Sequence, residues 1–146
     1  MVAATVTLSN ISVTIPSGYP TSVDYGVLQL NSQAVPQTYT PAGNTNLRVQ
    51  NNGGAAEDLV IKGANATCGT GTWTIGSLPG ANTYSHLFGV GATPSSYAVL
   101  GTGGSTLAGN VAVNGTVDFN LKIQTPSSST VYGKYSTTVS IIATAH

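Results

Sequence analysis

Apolar and polar residues alternate through much of this chain, and nowhere do apolar positions recur at the three- and four-residue spacing of an amphipathic helix. The clearest alternation sets Val117, Phe119, Leu121 and Ile123 against Asp118, Asn120 and Lys122. A strand sends successive side chains to opposite faces, so this pattern predicts a strand with one face in a core. Fully burying those apolar side chains would contribute about 6–12 kcal/mol before conformational entropy is counted. Tyr135, Thr137, Val139, Ile141 and Ala143 predict a second long strand. Shorter runs predict strands over Val27–Leu30, Leu47–Gln50, Asp58–Lys62, Thr72–Gly76, Tyr84–Phe88 and Ser96–Leu100, with Val111–Val113 leading into an Asn114-Gly115 turn. In Tyr84–Phe88 the residues Tyr84, His86 and Phe88 share a face, with Leu87 opposite. Val35–Thr40 is flanked by Pro36 and Pro41, which predicts an edge or a loop. Asn51-Asn52-Gly53-Gly54 is a strong turn signal and predicts a hairpin between Leu47–Gln50 and Asp58–Lys62. The glycine-rich stretch Gly101–Gly109 predicts a mobile loop. About nine short strands separated by Gly, Pro and Asn clusters predict one all-β domain, a single β-sandwich of jelly-roll or Ig-like type.

The alternation breaks once, near the start. In Ala4–Ile15, Val6 and Leu8 lie on one parity, while Ile11, Val13 and Ile15 lie on the other, with Ser9-Asn10 between them. A change of parity turns the buried face over. A bulge at Ser9-Asn10 is one cause. The other is that the first half pairs with one sheet and the second half with another. Thr5–Ile15, extended at ~3.3 Å per residue, would span about 36 Å, roughly twice a usual strand. That length suffices for a donor strand that begins in a neighbouring molecule and ends in its own. The expected division is therefore an N-terminal donor strand over 1–15 and a sandwich over 16–146. The expected donor residues are Thr5, Val6, Thr7, Leu8, Ile11, Val13 and Ile15.

Charge sharpens this picture. Only 5% of the 146 residues are charged, and the formal net charge is zero, against a usual ~25% charged. At 40% hydrophobic residues the chain should nonetheless fold. A near-neutral surface favours self-association. With no basic patch, a nucleic-acid partner lacks its main driving force. No run of 18 apolar residues marks a membrane span.

Candidate chemistry is sparse. Cys68 is the only cysteine, so no internal disulfide or zinc pattern exists. His146 is terminal and His86 lies on an apolar strand face. Glu57-Asp58 is the sole acidic pair, and its side chains should diverge. No acid–base or nucleophile set can be assembled, so neither an enzyme nor a cofactor is expected. Sequons occur at Asn10, Asn65 and Asn114. Trp73, Tyr84 and Tyr97 could form an exposed platform for glycans, although a lone Trp in a sandwich usually packs between sheets.

Three segments carry a family resemblance. Asp24-Tyr25-Gly26-Val27-Leu28-Gln29-Leu30 resembles the aromatic/small–Gly–x–Leu–x–Leu stretch near the start of the TasA/camelysin-like biofilm matrix proteins. Leu47–Gly54 followed by Asp58-Leu59-Val60-Ile61 resembles their strand–Asn–x–Gly–strand feature. Gly115 before Phe119-Asn120-Leu121-Lys122-Ile123 and then Pro126 is similar to sandwich strands of secreted bacterial and archaeal surface proteins. The resemblance implies a jelly-roll sandwich and fibres built by donor-strand exchange, as in TasA fibres and archaeal bundling pili. This chain differs from TasA in being smaller, nearly uncharged and without acidic clusters for metal binding. The expectation is a structural subunit of an extracellular or cell-surface filament or biofilm matrix, with itself as partner. The alternatives are a secreted carbohydrate-binding module and a coat or capsid-type jelly roll.

Overall fold

The computed structural model describes residues 13–146 in full and Val2–Leu8 as backbone. Among these residues there is no helix; the structure is all-β and about half strand. In chain order the strands are β1 (Val2–Leu8), β2 (Val13–Thr14), β3 (Ser22–Asp24), β4 (Gln33–Ala34), β5 (Thr38–Thr40), β6 (Leu47–Asn51), β7 (Glu57–Lys62), β8 (Ala66–Cys68), β9 (Gly71–Ile75), β10 (Thr83–Val90), β11 (Ala98–Val99), β12 (Ser105–Val111), β13 (Thr116–Gln124) and β14 (Tyr135–Ala145).

The strands form the two layers of a β-sandwich. The first runs β12-β7-β14-β1-β3-β5, antiparallel throughout except that β1 lies parallel to β14. Beyond the end of β7, β8 continues along β14 and is itself paired with β9. The second layer runs β2-β6-β13-β10-β11, with β4 against β13 past the end of β6. The start of β10 pairs in parallel with β9, which joins the layers at one corner.

The core is made by alternate residues of both layers. Leu59 and Ile61 of β7 and Tyr135, Val139 and Ile141 of β14 belong to the same buried cluster as Leu47 and Val49 of β6, Phe119, Leu121 and Ile123 of β13, and Tyr84 and Phe88 of β10. The alternations over Val117–Ile123, Tyr84–Phe88 and Tyr135–Ala143 thus point inward as their periodicity predicts. Trp73 is also core. Its ring stacks on Tyr135 at 3.9 Å between centroids, and its indole N–H donates to Ser129 Oγ at 2.8 Å.

Several local expectations are corrected. The turn after Leu47–Gln50 does not close a hairpin: β6 pairs with β2 and β13, whereas β7 pairs with β12 and β14. The chain instead arches from one layer to the other, so Leu47 and Val49 lie in the opposite layer from Leu59 and Ile61. Buried Asn51 braces this arch. Its Nδ2 donates to the carbonyls of Ala55 (2.8 Å) and Val111 (2.9 Å), and its Oδ1 accepts the Gly53 N–H at 2.8 Å. The chain makes a second arch between β12 and β13, and the two are tied where Asn51 N–H donates to Gly115 O and Asn114 N–H to Asn51 O. Gly101–Gly109 is not a loop throughout, because β12 starts at Ser105 and pairs along β7 with register shifts. Val27–Leu30 is not a strand, and Val27 is 85% exposed.

One polar pair sits inside the core. The Tyr25 hydroxyl and His86 Nε2 are 2.8 Å apart and both residues are fully buried. Nδ1 of His86 has no partner among the described residues. Burial disfavours charge there, pushing His86 down to about 4 and the Tyr25 hydroxyl well above its ordinary range.

Candidate functional site

The candidate site is the position between β14 and β3. One wall is β14, built by the longest strict alternation in the chain; Tyr135, Thr137, Val139 and Ile141 are buried along it. The other wall is β3, where Val23 is buried and is followed by buried Tyr25. The wall ends where Asp24 Oδ1 accepts the Gly26 N–H at 2.7 Å. Gly26 has φ +73°, which suits glycine. Beyond β3, β5 forms the outer edge of this layer, with Val23 opposite Tyr39. Pro36 and Pro41 flank that short edge, and proline withholds ladder donors.

In this chain β1 fills the slot. Its register runs from Val2 beside Tyr135 to Leu8 beside Ile141, with Val6 beside Val139, and on its other side Ala3, Ala4 and Thr5 pair with Asp24, Val23 and Ser22. β1 is therefore an interior strand of its layer rather than an edge. Among the described residues it alone joins β3 and β5 to β14. Without it, the facing edges of β14 and β3 would each carry N–H and C=O groups with no ladder partner, a template for any added strand.

The parity change in the sequence marks a change of layer. Thr5, Val6, Thr7 and Leu8 are in β1, in the first layer, while Val13 is buried in β2 and pairs with Asn51 in the second. Ile15 is half-buried against the core. Ile11 and the Asn10 sequon lie outside the described residues. At ~3.6 Å per residue at most, the step from Leu8 to Val13 reaches about 18 Å. Packed layers lie ~10 Å apart, so the link can cross within one molecule or into a close neighbour.

Other expected sites are placed as follows. Asn65 and Asn114 are exposed; Asn65 Oδ1 accepts the Ile75 N–H at 3.0 Å, and Asn114 sits at φ +63°. Trp73 and Tyr84 are buried, while Tyr97 is half-exposed, so these three do not form one exposed platform. Burial raises the Tyr84 hydroxyl to about 12, and it donates to Ala64 O at 2.5 Å. β5 falls inside Val35–Thr40, the segment expected as an edge or a loop, and forms the outer edge; the β3 wall was not expected, although Val23 and Tyr25, two apart, carry the signal of a short strand. Among the described residues no group of three or more His, Cys, Asp or Glu is placed to hold a metal, and no helix is long and apolar enough to cross a membrane. The chain matches no protein-family model and no curated protein.

Proposed function

We propose that this chain is the structural subunit of a surface filament, and that its first strand can leave its own slot and fill that of a neighbouring copy. The observation that carries this reading is the position of β1: it is an interior strand between β14 and β3, and the chain reaches the second layer at β2 only a few residues after it. Strand addition of this kind gains affinity from main-chain hydrogen bonds and specificity from alternate side chains. The same contacts form within a molecule or between molecules, so concentration and the short link decide which predominates. A head-to-tail exchange that does not close on itself yields an open polymer. The nearly uncharged surface adds little repulsion between packed copies.

The resemblance to TasA-like matrix proteins and archaeal bundling pili supports the same reading, and with it an extracellular or cell-surface location. Electron microscopy of the concentrated protein tests it. Long uniform filaments are expected, and they should be absent after removal of residues 1–10. A monodisperse monomer at every concentration would overturn the proposal.

A further inference from the structure

We propose that the outer face of the second layer carries a binding site for acidic sugars, in a groove between residues 35–39 and the loop 91–97. The groove has a volume of about 450 Å³, and Tyr39 and Pro36 face Pro94 and Tyr97 among its lining residues. Its far wall is held close to the sheet. Gly89 of β10 lies beneath it, and a Cβ there would run into the Pro94 side chain and come to 2.6 Å from the Ser96 carbonyl oxygen. Its floor is fixed too. The Tyr39 hydroxyl donates to Asn120 Oδ1 at 2.7 Å, and Asn120 Nδ2 donates to Thr45 O at 2.9 Å. Asn120 falls on the polar parity of β13 yet is buried, because this side of the sheet is covered.

The groups left over define the ligand. Lys122 Nζ lies over the Tyr97 ring, 5.6 Å from its centroid, and pairs with no carboxylate among the described residues. The side chains of Gln37, Thr45, Thr93 and Tyr97 carry no hydrogen bond among the described residues. The groove therefore offers tyrosine and proline surface, several unused neutral polar groups and no anion among its lining residues, and Lys122, which does not line it, places one cation beside it over Tyr97. A pyranose ring presents apolar C–H faces and a rim of hydroxyls, and a uronic acid adds the carboxylate that Lys122 lacks. A second copy of this chain is a poor occupant. Of its four acidic residues, Asp58 and Asp118 are already paired, Glu57 is buried, and Asp24 caps the Gly26 N–H.

This site is independent of the strand slot, and its test is a titration of the full chain followed by heteronuclear NMR. The probes are an oligogalacturonate and a neutral cello-oligosaccharide. The acidic sugar should bind saturably, with shifts mapping to Gln37, Thr93 and Tyr97. Lys122→Met should weaken it about tenfold, the worth of one charge-assisted hydrogen bond, and Tyr97→Ala should abolish it. Should Tyr97→Ala fail to fold, Gln37→Ala at an exposed position should still reduce binding. No saturable binding overturns the proposal, as do equal binding of both sugars with indifference to Lys122→Met, shifts mapping elsewhere, or a Tyr97→Ala effect on self-association alone.

Discussion

Mild acid should weaken this fold through a single residue, His86. The unfolded chain binds its proton with the ordinary midpoint near 6.5, whereas burial holds the folded residue at about 4. The folded state therefore binds fewer protons between these values, so stability falls as the pH drops through that window and levels off below it. A gap of this size removes about 2 kcal/mol by pH 5 and about 3 kcal/mol by pH 4, relative to neutrality. Few other groups confuse the reading. The chain has two histidines and four acidic residues, and the second histidine, His146, is exposed beside Asp58. The assay is urea unfolding at pH 7 and pH 5, followed by emission of the single, buried Trp73. The midpoint should fall by about 1 M urea at the lower pH. The double variant Tyr25→Phe with His86→Leu removes both partners of the 2.8 Å contact, avoids an orphaned hydroxyl, and should abolish the difference. Equal midpoints in the parent, or an undiminished shift in the double variant, would refute the argument.

Two further outcomes test other parts of the fold. Asn51→Ala removes three hydrogen bonds from a buried corner, and should cost about 2–4 kcal/mol in denaturant unfolding while leaving the strand content of any folded fraction unchanged. Asp118→Asn breaks the paired contacts to Arg48, at 2.5 and 2.6 Å. That pair is partly exposed and screened, so the loss should be about 1 kcal/mol at pH 7. Arg48 and Asn46 hold the Asp118 carboxyl below its ordinary range, so its contribution is present at neutral pH and disappears as the pH falls through and below about 4. The variant's deficit, measured by urea unfolding, should shrink there.

The sequence was most informative where burial is one-sided and strands are long. Val117 to Ile123 alternate because one side meets the core, and the parity change after Leu8 is visible because the chain changes layer there. Misreadings arose where the deciding contact is distant. Asn51-Asn52-Gly53-Gly54 suits a hairpin and an arch equally well, since both need tight turns; the choice depends on whether β7 finds β6 or the β12 and β14 edges. β12 was hidden because Gly109 and the glycines before it read as a loop, yet β7 supplies a partner that overrides weak propensity. Val27 and Leu28 look like strand residues, but Gly26 turns the chain out at φ +73°. Around the strand slot, β14 was legible, whereas the β3 wall and the parallel register of β1 were not. The groove beside Tyr97 was not legible, since Tyr39, Pro36 and Pro94 come from segments far apart in the chain.

The central claim is that β1 can belong to one molecule and its slot to another. Thr5 and Thr138 are register partners across β1 and β14, and Cys68 is the only native thiol. Placing cysteines at both positions in a Cys68→Ser background, assembling the protein at high concentration and oxidising it gives a direct reading on a non-reducing gel. Exchange predicts a ladder of covalent multimers that collapses to monomer on reduction. A disulfide-closed monomer alone, from samples at every concentration, would contradict it.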